Sequence, residues 1–227
     1  MLRLDARLAL AEEMLGTCDT LYDIGSNHGF LAVHMLLTGK CRRAVLCDVS
    51  AEALTRARGL VARTHLADRA KFAVADGFAG LAPGPADAAA VCGMGGRTIA
   101  AILREGLPCP VVLQANVELA CARRQVERVG MHIAREGVAR AGGRLYVVIR
   151  AEPGTQAPLR EIELRLGPAL LRDRPEGTRD YLLWRQRVAA RALAGARGGA
   201  DPEKLARAEE EAACVEEALR RLEEEKS

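Results

Sequence analysis

The 227-residue sequence predicts a doubly wound α/β domain over residues 1–155, followed by an α-helical appendage over residues 156–227. Three observations carry that reading. Short apolar runs without polar alternation recur between helical segments, the pattern of a parallel sheet covered on both faces. The first run ends in "GSNHG" and passes straight into an apolar helix, the opening of a βα unit. After "AEPG" (151–154) the composition changes to aliphatics at helical spacing between Arg and Glu.

Taken in order, the spacing predicts a strand over 20–24 and a helix over 30–37. "AVLCDV" (44–49) reads as the second strand, and 51–65 as a helix opened by a Ser50 cap. "KFAVAD" (71–76) and "ADAAAVCGM" (86–94) are further strands, the latter leading into a helix at 97–103. "CPVVLQA" (109–115) is a strand and 118–129 a helix. Two last strands, 131–138 and 143–151, meet at a turn containing Gly142 and Gly143, which predicts an antiparallel edge. Beyond Pro158 helical spacing continues, with breaks near Pro168, Pro175 and "GARGGADP" (195–202). Residues 203–225 form a helix whose apolar face is Leu205, Ala212, Val215, Ala218 and Leu222, so that the appendage reads as an antiparallel, coiled-coil-like hairpin.

Composition narrows the class. At 49% hydrophobic residues the chain is not disordered. Its N-terminal segment carries charges throughout, and no membrane span or signal peptide is expected. Seven cysteines, an odd number without CxxC pairs, argue against a disulfide framework or a zinc site and suit a reducing, cytoplasmic setting. Cys41, Cys47, Cys92 and Cys109 read as small core residues. Residues 1–150 hold 19 Lys and Arg against 14 Asp and Glu, a mildly basic block that tolerates a polyanion without demanding one.

Three polar strand ends suggest a nucleoside pocket: Asp23 with Gly25 and Gly29, Asp48 closing the second strand, and Asp76-Gly77 closing the third. A carboxylate at Asp48 suits both ribose hydroxyls, and Asp76 an adenine amino group. The same residues also favour turns, so a chance arrangement stands beside this reading. Nicotinamide and sulfonium cofactors share adenosine. The bulky Asn27-His28 pair sits where a pyrophosphate needs glycine, and Asp23 can take an ammonium, so the methyl donor S-adenosylmethionine is favoured.

"DIGSNHGFL", "CDVSAEALTRAR", "VADGFAGL", "VCGMGGRTIAAIL", "VLQANVE" and "YVVIRAEPG" together resemble the bacterial tRNA (adenine-22-N1)-methyltransferase family, in order over about residues 2–155. "GMGG" after the fourth strand is the most distinctive piece. The resemblance implies a Rossmann-like seven-stranded methyltransferase sheet with a C-terminal helical hairpin, S-adenosylmethionine as donor and tRNA as partner; no metal or membrane is expected from the composition, and the assembly stays open between monomer and weak dimer. The cofactor set is then Asp23, Gly25, Ser26, Asn27, His28, Gly29, Asp48, Val49, Asp76, Gly77, Gly93, Met94 and Gly95. Gly93, Gly95 and Gly96 would keep the methyl end clear of Cβ atoms.

The family commonly reads Ser-Asp-His where this chain has Ser26-Asn27-His28, and Gln-Pro-Asn where it has Gln114-Ala115-Asn116. An amide at Asn27 can orient the base but cannot take its proton. The candidate catalytic residues are Asn27, Gln114 and Asn116, the last two either gripping the target base edge or capping the helix near Glu118. Arg97, Arg104, Arg123, Arg124 and Arg128 either rim the cleft or form a solvated face. A non-catalytic adenosine-binding module and a small-molecule methyltransferase remain the competing readings.

Overall fold

In the computed structural model, which describes residues 2–198 and 201–224, seven strands form one sheet in the order β3-β2-β1-β4-β5-β7-β6. β1 (Cys18–Ile24), β2 (Cys41–Asp48), β3 (Ala70–Val74), β4 (Ala88–Gly95) and β5 (Val111–Val117) run parallel. β7 (Arg144–Pro153) pairs antiparallel with β5, and β6 (Met131–Ala141) with β7, giving the antiparallel edge expected of a Gly142-Gly143 hairpin. Strand order reverses between β1 and β4, so their carboxyl ends open a crevice where α/β sheets receive ligands.

Helices cover both faces. On one, α2 (Phe30–Leu37) and α3 (Leu54–Arg63) bury Leu31, Met35, Leu54 and Val61 against Leu21 and Leu46. An N-terminal helix, α1 (Ala6–Leu15), joins this face through Ala11, Met14 and Leu15. No helix is expected here from the sequence, whose charges interrupt the apolar positions throughout residues 1–15. The cap of α1 is Asp5, whose Oδ1 accepts from the Leu8 amide at 2.8 Å. Ser50 caps one turn earlier than α3 begins. Its Oγ accepts from the amides of Glu52 and Ala53, in a turn that leads into the helix.

The opposite face carries α4 (Gly96–Ile102) and α5 (Leu119–Arg128), then α6 (Glu161–Leu166), α7 (Pro168–Asp173), α8 (Thr178–Arg197) and α9 (Pro202–Glu224). The appendage is therefore two short helices followed by the long α8–α9 pair, rather than a bare hairpin. Pro168 starts α7 instead of ending a helix, since a first-turn proline gives up only an amide that has no intrahelical partner. The predicted face of α9 is confirmed: Val215 and Ala218 are buried, Leu205, Ala212 and Leu222 half-buried. The predicted break at 195–202 includes residues 199 and 200, and the predicted helix end lies at 225; these fall outside the described residues. One apolar cluster runs from Val111, Leu113 and Ile149 of the sheet to Leu166, Leu170, Tyr181 and Val215 of the appended helices.

A buried ion pair fastens the two blocks. Arg123 is wholly buried, contrary to both readings of it as a surface cation. Its Nε donates to Glu136 Oε1 at 2.8 Å, and its Nη1 to the carbonyls of Leu164 and Arg165 at 2.8 and 3.2 Å. Glu136 Oε2 in turn accepts from the amides of Ala169 and Leu170 at 3.0 and 3.2 Å. The pair thus holds both the end of α6 and the start of α7. Gly167 lies over it with φ +111°, and a Cβ there would stand 2.5 Å from Glu136 Oε2.

Candidate active site

β1 ends at Asp23 and Ile24, and the chain turns through Gly25 (φ +78°), whose amide, like that of Ser26, donates to the Cys47 carbonyl of β2. Any side chain at Gly25 would be strained, and its Cβ would meet the Met94 methyl at 1.9 Å. Gly29, just before α2, is left-handed (φ +69°), and a Cβ there would also lie 2.9 Å from Leu46 and 3.0 Å from Ala57. The turn and α2 are therefore seated tightly on β2 and α3.

A cleft of about 250 Å³ opens above this turn, lined in part by Asp23, Gly25, Ser26, Asn27, His28, Gly29 and Gly93. Asp23 is buried and accepts from Ser26 Oγ at 2.6 Å. Burial pushes its carboxyl up to about 6, against the opposing pull of the Ser26 hydroxyl and the Ala32 amide. Asn27 and His28 stand at the mouth, where Arg56 donates to Asn27 Oδ1 at 3.4 Å and approaches His28 Nε2 at the same distance. The His28 ring stacks on Phe30 with centroids 5.2 Å apart. Cys92, also lining the cleft, is half-buried against the core, and burial pushes its thiol up to about 12.

Across the crevice, β4 and β5 slip register on either side of Met94, with Cys92 opposite Gln114, Met94 opposite Ala115 and Gly95 opposite Val117. Gly93 sits in the bulge at φ +82° and is held by side chains in place of ladder bonds. Gln114 Oε1 accepts from the Gly93 amide at 3.1 Å, and Asn116 Nδ2 donates to its carbonyl at 2.8 Å. Gln114 Nε2 closes the set on Asn116 Oδ1 at 3.2 Å. Of the two sequence expectations, the helix cap is not what forms. Gln114 is wholly buried with both amide ends taken, and neither residue caps α5, which starts from a left-handed Glu118 without a side-chain cap. Asn116 remains exposed. Gly96 is explained by approach: a Cβ would lie 1.9 Å from the Glu118 carbonyl oxygen.

The sequence missed Arg7. It is the second residue of α1 and lines the cleft; its Nη1 donates to Gln114 Oε1 at 2.7 Å, and its Cζ lies 5.7 Å from the Tyr146 ring centroid. An Asp5 cap before Leu8, Ala11, Met14 and Leu15 could have revealed the helix, but not that it crosses the strand ends. Other expected residues stand apart from the cleft lining. Asp48 closes β2 and accepts from the Ser50 amide at 3.3 Å, with Val49 exposed beside it. Asp76, exposed beyond the end of β3, pairs with Arg104. Gly77 packs on Ile102, Met94 covers Gly25, and Gly95 precedes α4. Of the predicted cleft-rim arginines, Arg97 pairs with Glu118 and Arg124 with Glu161.

The sequence matches the family described as a methyltransferase domain over residues 4–149. It is 27% identical over 158 residues to the tRNA (adenine(22)-N(1))-methyltransferase of Bacillus subtilis, an alignment spanning 67% of this chain and 66% of that protein. The crystal structure of the B. subtilis m1A22 tRNA methyltransferase TrmK superimposes with a TM-score of 0.85 at 22% identity, covering 96% of this chain and all of the other. Streptococcus pneumoniae Sp1610 in complex with S-adenosyl-L-methionine gives a TM-score of 0.82 at 22% identity, over 96% of this chain and 100% of that one. These two likenesses establish a shared fold along nearly the whole chain, including the appended helices. Since the family match covers well over half its residues, the chain belongs to the methyltransferase-domain family.

Proposed function

We propose that the chain transfers a methyl group from S-adenosylmethionine to N1 of an adenine in tRNA, at position 22 as in the named activity of its B. subtilis relative. The observation that carries this is the buried Asp23 facing a glycine-walled cleft at the point where strand order reverses. A carboxylate there, together with bulky Asn27 and His28 at the mouth, fits an amino-acid tail and not a pyrophosphate. Asp23 would hold the donor's ammonium and Arg7 its carboxylate. Asp48 would take the ribose hydroxyls, with Val49, Asp76 and Gly77 around the adenine and Gly93, Met94 and Gly95 near the methyl end. When bound, this donor supplies an electrophilic methyl group.

Adenine N1 is already nucleophilic, so the protein's work is alignment and exclusion of water. Gln114 acts as a positioning residue, holding the Gly93 peptide and the Asn116 amide. Asn116, exposed beside the crevice, would meet the base, and Asn27 would orient its amino group. Residues 1–155 would then carry the chemistry and 156–227 the docking of substrate. Cytoplasmic action fits the reading, and among the described residues no helix is long and apolar enough to cross a membrane.

The decisive test is methyl transfer to unmodified total tRNA, followed by nuclease digestion and mass spectrometry of the nucleosides. Formation of 1-methyladenosine is expected; donor binding without methylated nucleoside would leave only an adenosine-binding module. Two substitutions refine it. Asp48→Ala should weaken donor binding by roughly 1–3 kcal/mol, the scale of lost hydrogen bonds to a carboxylate. An unchanged dissociation constant in calorimetry removes Asp48 from the pocket. Asn27→Asp should raise turnover by about tenfold, below the roughly 10²–10⁴ of a well-placed general base, because Arg56 would hold the new carboxylate ionised and lower its basicity. Single-turnover rates decide this, and a fall would show that the amide itself is needed.

A further inference from the structure

A second cavity, of about 620 Å³, lies between the β6–β7 hairpin and α8. Arg140, Arg144 and Arg187 line it, and among the described residues no carboxylate does. Arg140 is occupied by Asp180 at 3.1 Å, which ties the hairpin to the first turn of α8. Arg144 and Arg187 are exposed and make no ion pair to a described residue. The apolar lining includes Val117 and Trp184, 59% and 40% exposed, two large hydrophobic groups open to solvent in the same groove.

The groove adjoins the crevice described above. Asn116 lines it while donating to the Gly93 carbonyl, and Gly93 lines the donor cleft. Tyr146 forms part of the groove and approaches Arg7, which lines the cleft. Unpaired guanidinium groups beside an open indole match the chemistry of a nucleic-acid strand, whose phosphates seek cations and whose bases stack on rings. A protein partner would have to offer acidic groups without gaining from the ring in the same way.

We propose that this groove receives the RNA strand flanking the target adenine, with phosphates on Arg144 and Arg187 and one base stacked on Trp184. The inference rests on the tRNA methyltransferase reading and gives α8 a direct part in substrate binding. It also explains why the β6–β7 hairpin and α8 are held together by an ion pair at the groove's rim.

Trp184 is the only tryptophan of the chain, so its fluorescence reports on this groove alone. Titrating the full-length protein with unmodified tRNA should quench it, with a midpoint equal to the dissociation constant from filter binding. Arg144→Ala and Arg187→Ala should each reduce the slope of log affinity against log salt by about 1. Each should raise KM for tRNA more than it lowers kcat. Trp184→Ala should weaken tRNA binding on the order of tenfold, as loss of one stacked base does. Arg42→Ala, exposed at the amino-terminal end of β2 on the far side of the sheet from the crevice, serves as the control and should change none of these. If wild type methylates tRNA while the three groove variants keep its affinity and salt slope, the groove is overturned and the proposed function stands. If wild type neither binds nor methylates tRNA, both readings fall.

Discussion

Asp23→Asn is expected to make the ligand-free protein more stable and to destroy its donor binding. Burial holds the Asp23 carboxyl at about 6, above its ordinary 3.8, so the folded state keeps this proton more tightly than the unfolded chain does. The resulting stabilisation is fully present below pH about 4 and lost as pH rises through 6. At pH 7 the ionised group therefore costs roughly 3 kcal/mol relative to the protonated one. Asparagine has nearly the same shape and its carbonyl can still accept from Ser26, while its NH₂ sits less well near the Ala32 amide. A net gain of about 1–3 kcal/mol at pH 7 follows, or about 2–4 °C in Tm for each kcal/mol. Melting curves of both proteins at pH 7 and pH 5 check the sign, since the advantage should shrink at the lower pH. Donor affinity should fall by roughly 10- to 100-fold, the scale of a hydrogen-bonded charge. In wild type it should weaken below pH about 6 as the carboxylate is protonated. An Asn variant less stable than wild type at pH 7 would mean the carboxylate is structural. Stability given up at a binding site is the usual sign of function there.

Breaking the Arg123–Glu136 pair has the largest expected effect on folding. Both side chains are fully buried, so removing one leaves an uncompensated charge in the interior. Arg123→Met should destabilise by roughly 3–5 kcal/mol, a large fraction of the 5–15 kcal/mol typical of whole domains. For a chain of this size that corresponds to a drop of about 6–20 °C in Tm. The double variant Arg123→Met/Glu136→Met should recover part of the loss, because no charge is then stranded. It should not recover all of it, since the carbonyls of Leu164 and Arg165 and the amides of Ala169 and Leu170 lose their partners. Thermal melts of the two singles and the double form a cycle. Additive losses would show that the two charges do not interact, contrary to the 2.8 Å contact.

The candidate site was legible in the sequence where it depends on strand ends. Asp23, Gly25 and Gly29 were identified from one local pattern, and the cleft contains all three. The "GMGG" run likewise marked a backbone special, and Gly93 and Gly96 each answer to a positive φ or a close approach. Gln114 and Asn116 read in the sequence as a base grip or a helix cap; the structure shows no cap and bonds both to Gly93. Their partner is the peptide of Gly93, and only the register slip between β4 and β5 frees that peptide for side chains. Asp76 reads like Asp48 in sequence, yet it lies beyond the end of β3 and faces Arg104.

By itself the sequence determined the alternation of strands and helices, the reversal of the last strand pair and the apolar face of α9, because these follow from side-chain periodicity and turn chemistry within a few neighbouring residues. Tertiary structure alone decided that Arg123 is interior, that Arg7 reaches Gln114 107 positions away, and that α8 closes a groove beside the crevice. Those outcomes are set by which distant groups remove water from a side chain and which return its hydrogen bonds. Strand order and helix docking choose those partners, and no local pattern encodes them.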